Sequence, residues 1–315
     1  MENLHAAATL AAMLDTALLL LPDFLLIVAG WTICHRTALD RPVWDSVERL
    51  VYWLLFPVLL FVSIVRSPLA PAATAGLAAG GVLTVLAGIA LATALRWLPG
   101  IDPKLQASGA QVAFRFNSYV ALALAERIGG APALAWVALL IALCVPLCNI
   151  GAVWSLARHD GHRIGAELIR NPLILATVAG LIGNLAGLQL PVPVATTLSR
   201  IGAAALPLGL MAVGAGLQFG GLRKAPGLAA ALLTIRHALL PAAGLGLGLL
   251  LGLPTGQAQV LLLFAAMPTA SSCFVLAARM GGDGPYVAGL VTASTLLGMI
   301  GLPLALAAFQ ALHGG

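Results

Sequence analysis

The chain has 315 residues, 61% of them hydrophobic and only 9% charged, with a formal net charge of +5. Its mean hydropathy is +1.02. A soluble globular domain carries about 25% charged residues, so this composition excludes a soluble fold and indicates a polytopic membrane protein. Strand-like alternation is absent, and the expected fold class is all-α, because helices satisfy their own backbone groups in lipid. The positive balance does not indicate nucleic acid. Most Lys and Arg sit in short connections between apolar segments, where they orient the chain and meet the headgroups of membrane lipids.

In chain order, Pro, Gly and charge clusters delimit ten apolar spans, centred in residues 13–34, 48–66, 73–96, 105–127, 133–157, 169–189, 197–218, 227–251, 257–279 and 286–309. Each suits a hydrocarbon core of about 30 Å. The first follows Met1-Glu2-Asn3 without a basic region or a small-residue cleavage site, so no cleavable leader is expected. It contains Asp23, an intramembrane carboxylate that could carry protons, pair with an arginine or sit at the outer interface. The fourth span is interrupted by Arg115-Phe116-Asn117-Ser118. The fifth carries Cys144 and Cys148 on one helix face beside Asn149. No His or carboxylate accompanies those thiols, so they are expected to be small buried apolar residues rather than metal ligands. Asn149 and Asn184 are expected to bridge helices, with Asn149 a lesser supporting candidate. The most polar connection is Arg158-His159-Asp160-Gly161-His162-Arg163. The eighth span places Arg236 and His237 near its centre, ahead of Pro241, and the ninth is broken by Pro268-Thr269-Ala270-Ser271-Ser272.

The two interruptions are versions of one segment: Phe116 to Gly130 ends in Arg127-Ile128-Gly129-Gly130, and Pro268 to Gly282 ends in Arg279-Met280-Gly281-Gly282. Pro22 pairs with Pro172, Ala29-Gly30 with Ala179-Gly180 and Pro57 with Pro207, each 150 residues apart, while Asn117 pairs with Thr269 at 152. Several coincidences in one order indicate an internal repeat. The expected organisation is a first five-helix repeat over 1–157, a cytoplasmic connection over 158–168 and a second repeat over 169–315. Five is odd, so the second repeat is inverted. With the amino terminus outside, eleven Lys and Arg fall in inner connections and three in outer ones. The positive-inside rule therefore puts both termini outside.

Paired discontinuous helices are the best sequence pointer to a transporter's substrate site. A helix that stops in lipid exposes backbone groups at a cost of several kcal/mol each, unless they meet protein or a cavity. The amino terminus of a half-helix favours an anion. Substrate-binding candidates are therefore Asn117, Ser118, Arg115, Pro268, Thr269, Ser271, Ser272 and Arg236. Arg115 and Arg236 each carry a mid-membrane charge costing about 2.5–3.5 kcal/mol. Either could capture a carboxylate, or serve as a structural ion pair or a snorkelling helix end. His237, Asp23 and Asn149 are the coupling or supporting candidates. His237 titrates near neutrality when unperturbed and could couple transport to protons, or could be a packed histidine. The bland alternative for the breaks is a proline kink with polar residues joining helices. No HExxH, P-loop or dinucleotide fingerprint occurs in a suitable context, so neither an enzyme nor a cofactor is expected.

Leu206-Pro207-Leu208-Gly209-Leu210-Met211-Ala212-Val213-Gly214-Ala215-Gly216-Leu217 resembles the seventh-span signature of the auxin efflux carrier family. Met267-Pro268-Thr269-Ala270-Ser271 through Gly281-Gly282-Asp283 is similar to that family's ninth-span crossover. The resemblance runs along the whole chain in span order and, without a long central loop, is to a compact prokaryotic member in the cell membrane. It implies a homodimer in which spans 1, 2, 6 and 7 form a scaffold, while spans 3–5 and 8–10 move as an elevator. It also implies that the fourth and ninth spans cross and hold an anion, with Asn117 and Pro268 at the crossover. Phe116 stands where the family commonly has proline. Plant members move auxin and bacterial relatives are linked with malonate and malate, so the expected substrate is a small organic anion. The rival readings are a sodium-coupled carrier of the bile-acid type and an anion-binding membrane sensor without transport.

Overall fold

A computed structural model of the chain describes residues 21–22, 24–66, 71–156, 172–217, 221–270 and 272–313. Asp23, Ser271 and the connection 158–168 lie outside the described residues. Everything described is helix and short connection. In order, the helices are α1 (Phe24–Arg36), α2 (Arg41–Arg66), α3 (Pro71–Ala94), α4 (Pro103–Phe114), α5 (Ser118–Leu156), α6 (Pro172–Leu185), α7 (Val192–Ala215), α8 (Pro226–Leu250), α9 (Thr255–Ala266), α10 (Cys273–Arg279) and α11 (Gly284–His313).

Among the described residues six helical runs, rather than ten, are long and apolar enough to cross a membrane. The first and sixth expected spans lie partly outside the described residues, and two further causes account for the rest. The fourth and fifth expected spans form one run, Pro103–Leu156, and α9 is cut short at Ala266. The run α5 itself turns at Gly130, whose φ of 59° and ψ of −148° are not helical. Gly281 has φ 70°, so each Gly-Gly pair supplies one left-handed residue, a conformation that costs glycine nothing.

Prolines set the remaining irregularities. A proline cannot donate to the carbonyl four residues earlier, and the chain responds by widening the preceding turn. Before Pro57, residues Val51–Leu55 form a π turn closed by the Phe56 N–H on the Val51 carbonyl. Before Pro241, Ile235–Leu239 do the same, closed by the Leu240 N–H on the Ile235 carbonyl. Such turns are frequent at functional sites, and this one carries Arg236 and His237. In α7 the helix is interrupted at Ala204, three residues before Pro207.

Packing falls into two groups. α2 packs on α6 and α7, and α1 packs on α7 where Gly30 faces the Met211 backbone and Gly214 faces the Ile27 carbonyl. A Cβ at either glycine would collide with main chain, so the two helices approach as closely as small residues permit. The second group joins α3, α4, α5, α8, α9, α10 and α11. Contact between the groups runs chiefly through α5, for example where Tyr119 stacks on Phe56 of α2 with ring centroids 4.5 Å apart and planes 9° from parallel.

Candidate functional site

The first break is made by capping. α4 begins with Asp102 Oδ1 accepting the Lys104 and Leu105 N–H groups at 2.8 and 3.0 Å, ahead of Pro103 in the first turn. This is the usual Asp-Pro start of a helix. It ends at Phe114, and Arg115 is extended, with φ −74° and ψ 144°. Asn117 then starts α5. Its Oδ1 accepts the Tyr119 and Val120 N–H groups at 3.0 and 3.2 Å, and its own carbonyl accepts from Ala121 at 3.0 Å. No non-glycine residue among those described has positive φ, and Asn117 acts as an N-cap.

The second break is made by proline. Met267 is extended, with φ −56° and ψ 144°, as the residue before a proline prefers. The Thr269 N–H donates to Ser294 Oγ of α11 at 2.9 Å, and the Cys273 N–H to the Ala270 carbonyl at 3.2 Å. Gly298 of α11 makes room for the proline: a Cβ there would sit 3.2 Å from the Pro268 ring. The two breaks meet directly, because the Asn117 N–H donates to the Pro268 carbonyl at 2.8 Å. Phe116, 4% exposed, packs edge-on against Phe264 at 4.5 Å between centroids.

The two arginines take different places. Arg236 is 2% exposed and points at the carbonyl end of α9, donating to Ala265 at 2.6 Å and to Phe264 at 3.4 Å. A cation is favourable at a helix carboxyl terminus. Its Nε is buried without a partner among the described residues. Arg115 is half-buried at the break itself and donates to Gln111 Oε1 at 2.9 Å and to Ser272 Oγ at 3.2 Å. Gln111 is fully buried and also donates to the Cys273 carbonyl at 3.1 Å, so Arg115 and Gln111 together bind α4 to the start of α10. His237 Nε2 lies 2.8 Å from Ser294 Oγ. Cys148 Sγ donates to the Phe114 carbonyl at 3.4 Å, which places that thiol at the end of α4.

Asn117, Arg115, Pro268, Thr269 and Ser272 are thus brought together, with Ser118 opening α5 beside them. Arg236 and His237 approach from α8. Asn149 is half-buried on α5 and is not a partner of any of these groups. Asn184 bridges helices, donating to the Ile64 and Val65 carbonyls at 2.9 and 3.2 Å. Gln111 and Ser294 were not singled out from the sequence; an intramembrane hydroxyl cluster, Thr292-Ala293-Ser294-Thr295, was the available signal for Ser294.

Besides Arg236 Nε, one more group at the crossing has no partner among the described residues. Asn117 is 3% exposed, and its Nδ2 is buried without a hydrogen-bond partner. Such an orphan costs about 1–3 kcal/mol. With its oxygen committed to capping α5, the side chain has only donors to offer, and a half-buried guanidinium stands two residues away. This constellation suits an anion rather than a cation.

Residues 161–306 match the family described as membrane transport protein. An "uncharacterized transporter" of Methanothermobacter thermautotrophicus is 32% identical over 146 residues, covering 46% of this chain and 48% of that protein. The match therefore spans about half the length of each. Both motifs that carry the resemblance to auxin efflux carriers, 206–217 and 267–283, lie inside the matching segment.

Proposed function

On the similarity of residues 161–306 to the membrane transport family, we propose that the chain is a secondary carrier of small organic anions, mono- or dicarboxylates, which it holds where the two broken helices meet. The observation that carries this reading is the Asn117 side chain, with its oxygen capping α5 and its Nδ2 buried without a partner beside the Asn117–Pro268 backbone bond. In this reading Asn117 Nδ2 donates to the carboxylate and Arg115 supplies the positive charge. Ser118, Thr269 and Ser272 line the site. Arg236 acts indirectly, by neutralising the carbonyl end of α9 so that it does not repel the anion.

The family resemblance extends this to an elevator-like alternating-access mechanism in a prokaryotic plasma membrane. α1, α2, α6 and α7 would be a dimerising scaffold, and the other helices would move against it. The division of contacts around α5 supports that assignment. The inverted repeat is supported by the irregularities ahead of Pro57 and Pro207, which recur 150 residues apart. Both termini outside follows from the charge count.

A thermal-shift screen of the purified protein against mono- and dicarboxylates, followed by counterflow in proteoliposomes, tests the reading. It predicts stabilisation by at least one small carboxylate and exchange of the same compound. Stabilisation without exchange would make the protein an anion sensor, and strict sodium dependence would favour the bile-acid-type mechanism.

A further inference from the structure

Ser294 does not behave like its neighbours. Thr292 and Thr295 both return their hydroxyls to carbonyls four residues earlier in α11, Ala288 and Val291, at 3.1 and 2.9 Å. Ser294, fully buried, turns away from its own helix. Its Oγ has two partners among the described residues: the Thr269 N–H at the second break, at 2.9 Å, and His237 Nε2, at 2.8 Å. An amide N–H can only donate, so Oγ accepts it and the hydroxyl proton is free to be given to the imidazole. That arrangement needs neutral His237 with its proton on Nδ1. Once Nε2 is protonated, the ring donates instead, and the Ser294 hydroxyl proton must find another acceptor.

The surroundings of His237 make that second state depend on an anion. Arg236 is its neighbour on the π turn. Of the elements packed against that turn, α3, α9 and the flanking parts of α8 carry no charged residue. α4 contributes Lys104 in its first turn, with Arg115 just past its end, while in α11 Tyr286 and His313 are each at least eight residues from Ser294. No carboxylate faces the ring from any of them. A second cation beside Arg236 therefore needs negative charge from elsewhere, and a carboxylate at the crossover supplies it.

We infer that His237 and Ser294 form a proton relay onto the substrate site: protonation of His237 turns the Ser294 hydroxyl from the imidazole toward the bound anion, so the protein binds proton and anion together. The proton is taken from water and returned to it with no covalent step. Because each ligand favours the other by the same factor, the carrier is a proton–anion symporter. This rests on the carrier reading above and names its coupling ion. His237 is the positioning residue here and acts through Ser294, whose hydroxyl touches the anion, and Thr269 connects Ser294 to the break.

The test uses the full chain in proteoliposomes, with radiolabelled malonate and malate as probes, measuring counterflow and accumulation driven by an inward proton gradient. In the wild type, with the membrane potential clamped at zero, a gradient of one pH unit should drive about tenfold accumulation of either probe, since one proton per anion transmits a tenfold activity ratio. His237→Gln should keep counterflow, lose its pH dependence and lose gradient-driven accumulation. Ser294→Ala, which removes a hydroxyl that touches the anion, should raise the counterflow KM and lose gradient-driven accumulation, and Ser294→Thr should restore both, with thermal midpoints confirming that each variant is folded. Gradient-driven accumulation that persists in folded His237→Gln or Ser294→Ala overturns the relay. Wild-type counterflow without gradient drive overturns proton coupling but leaves the carrier reading standing. Absence of wild-type counterflow with either probe overturns both for these two acids.

Discussion

The Asn117 N–H and the Pro268 carbonyl are 2.8 Å apart, so two helix breaks from distant parts of the chain close one backbone hydrogen bond. Each break leaves main-chain groups that lipid cannot satisfy. Capping by the Asn117 oxygen and donation from Thr269 to Ser294 deal with several of them within the protein. Among the described residues, what remains over there are two donors, Asn117 Nδ2 and Arg236 Nε. In the proposed reading, a preference for negative charge follows from these unused donors.

Asn117 should therefore separate into two roles by substitution. Asn117→Asp keeps an oxygen for the Tyr119 and Val120 N–H groups, and a carboxylate at a helix start is favourable. Its thermal midpoint should stay close to that of the wild type. Asn117→Ala removes the cap and should cost about 1 kcal/mol. Thermal denaturation of both variants in one detergent checks this; equal losses would show that the oxygen does not cap α5.

Arg236→Leu removes the cation from the end of α9 and leaves the Phe264 and Ala265 carbonyls without it. A destabilisation of about 1–3 kcal/mol is expected, with Arg236→Lys intermediate because its charge survives without the planar fork. Substrate affinity in the surviving folded protein should change less than in Arg115 variants. Thermal midpoints and uptake KM, measured together, decide this.

Arg115→Gln should raise the uptake KM about tenfold or more, since hydrogen bonds to charged groups contribute about 1.5–3 kcal/mol. Gln111→Ala should move KM in the same direction by less, because Gln111 Oε1 orients the guanidinium rather than touching the anion. Initial rates over a range of carboxylate concentrations check the order.

Much of this was readable in advance, for physical reasons. Pro268 and the Gly-Gly pairs announce themselves through backbone chemistry, which acts within a few residues. The break at Asn117 was visible as a polar interruption, and the structure makes it an N-cap. Gln111 lies inside an unbroken stretch of α4 and Ser294 is marked only by a hydroxyl cluster, so their importance comes from what crosses beside them. Arg236 was conspicuous as a charge, but its partners lie 28 and 29 residues further on, at a helix end that only the tertiary packing brings to it.

A corner outside the membrane should respond to pH. Asp283 accepts the Tyr286 N–H at 2.9 Å to cap α11, pairs with Lys224 at 2.5 Å, and its own N–H meets Ser108 Oγ at 2.9 Å. Burial pushes its carboxyl up, but the Lys224 hydrogen bond, the Tyr286 N–H and the Lys224 and Lys104 charges outweigh that and hold it below the ordinary carboxylate value. A depressed folded value stabilises above the unfolded pKa of about 4 and is lost as pH falls through the folded one. The thermal midpoint should therefore decline more steeply on acidification in the wild type than in Asp283→Asn, which starts lower at neutral pH. Parallel profiles between about pH 6 and pH 3 would contradict the assignment.

The most direct test of the crossover as an anion site is counterflow of a small-carboxylate panel in the wild type and in Asn117→Asp, with both proteins shown to be equally folded. Exchange of at least one carboxylate by the wild type and a loss of tenfold or more in Asn117→Asp is the predicted result, since the substitution keeps the cap and replaces the donor with a negative charge. Undiminished exchange by Asn117→Asp would contradict it.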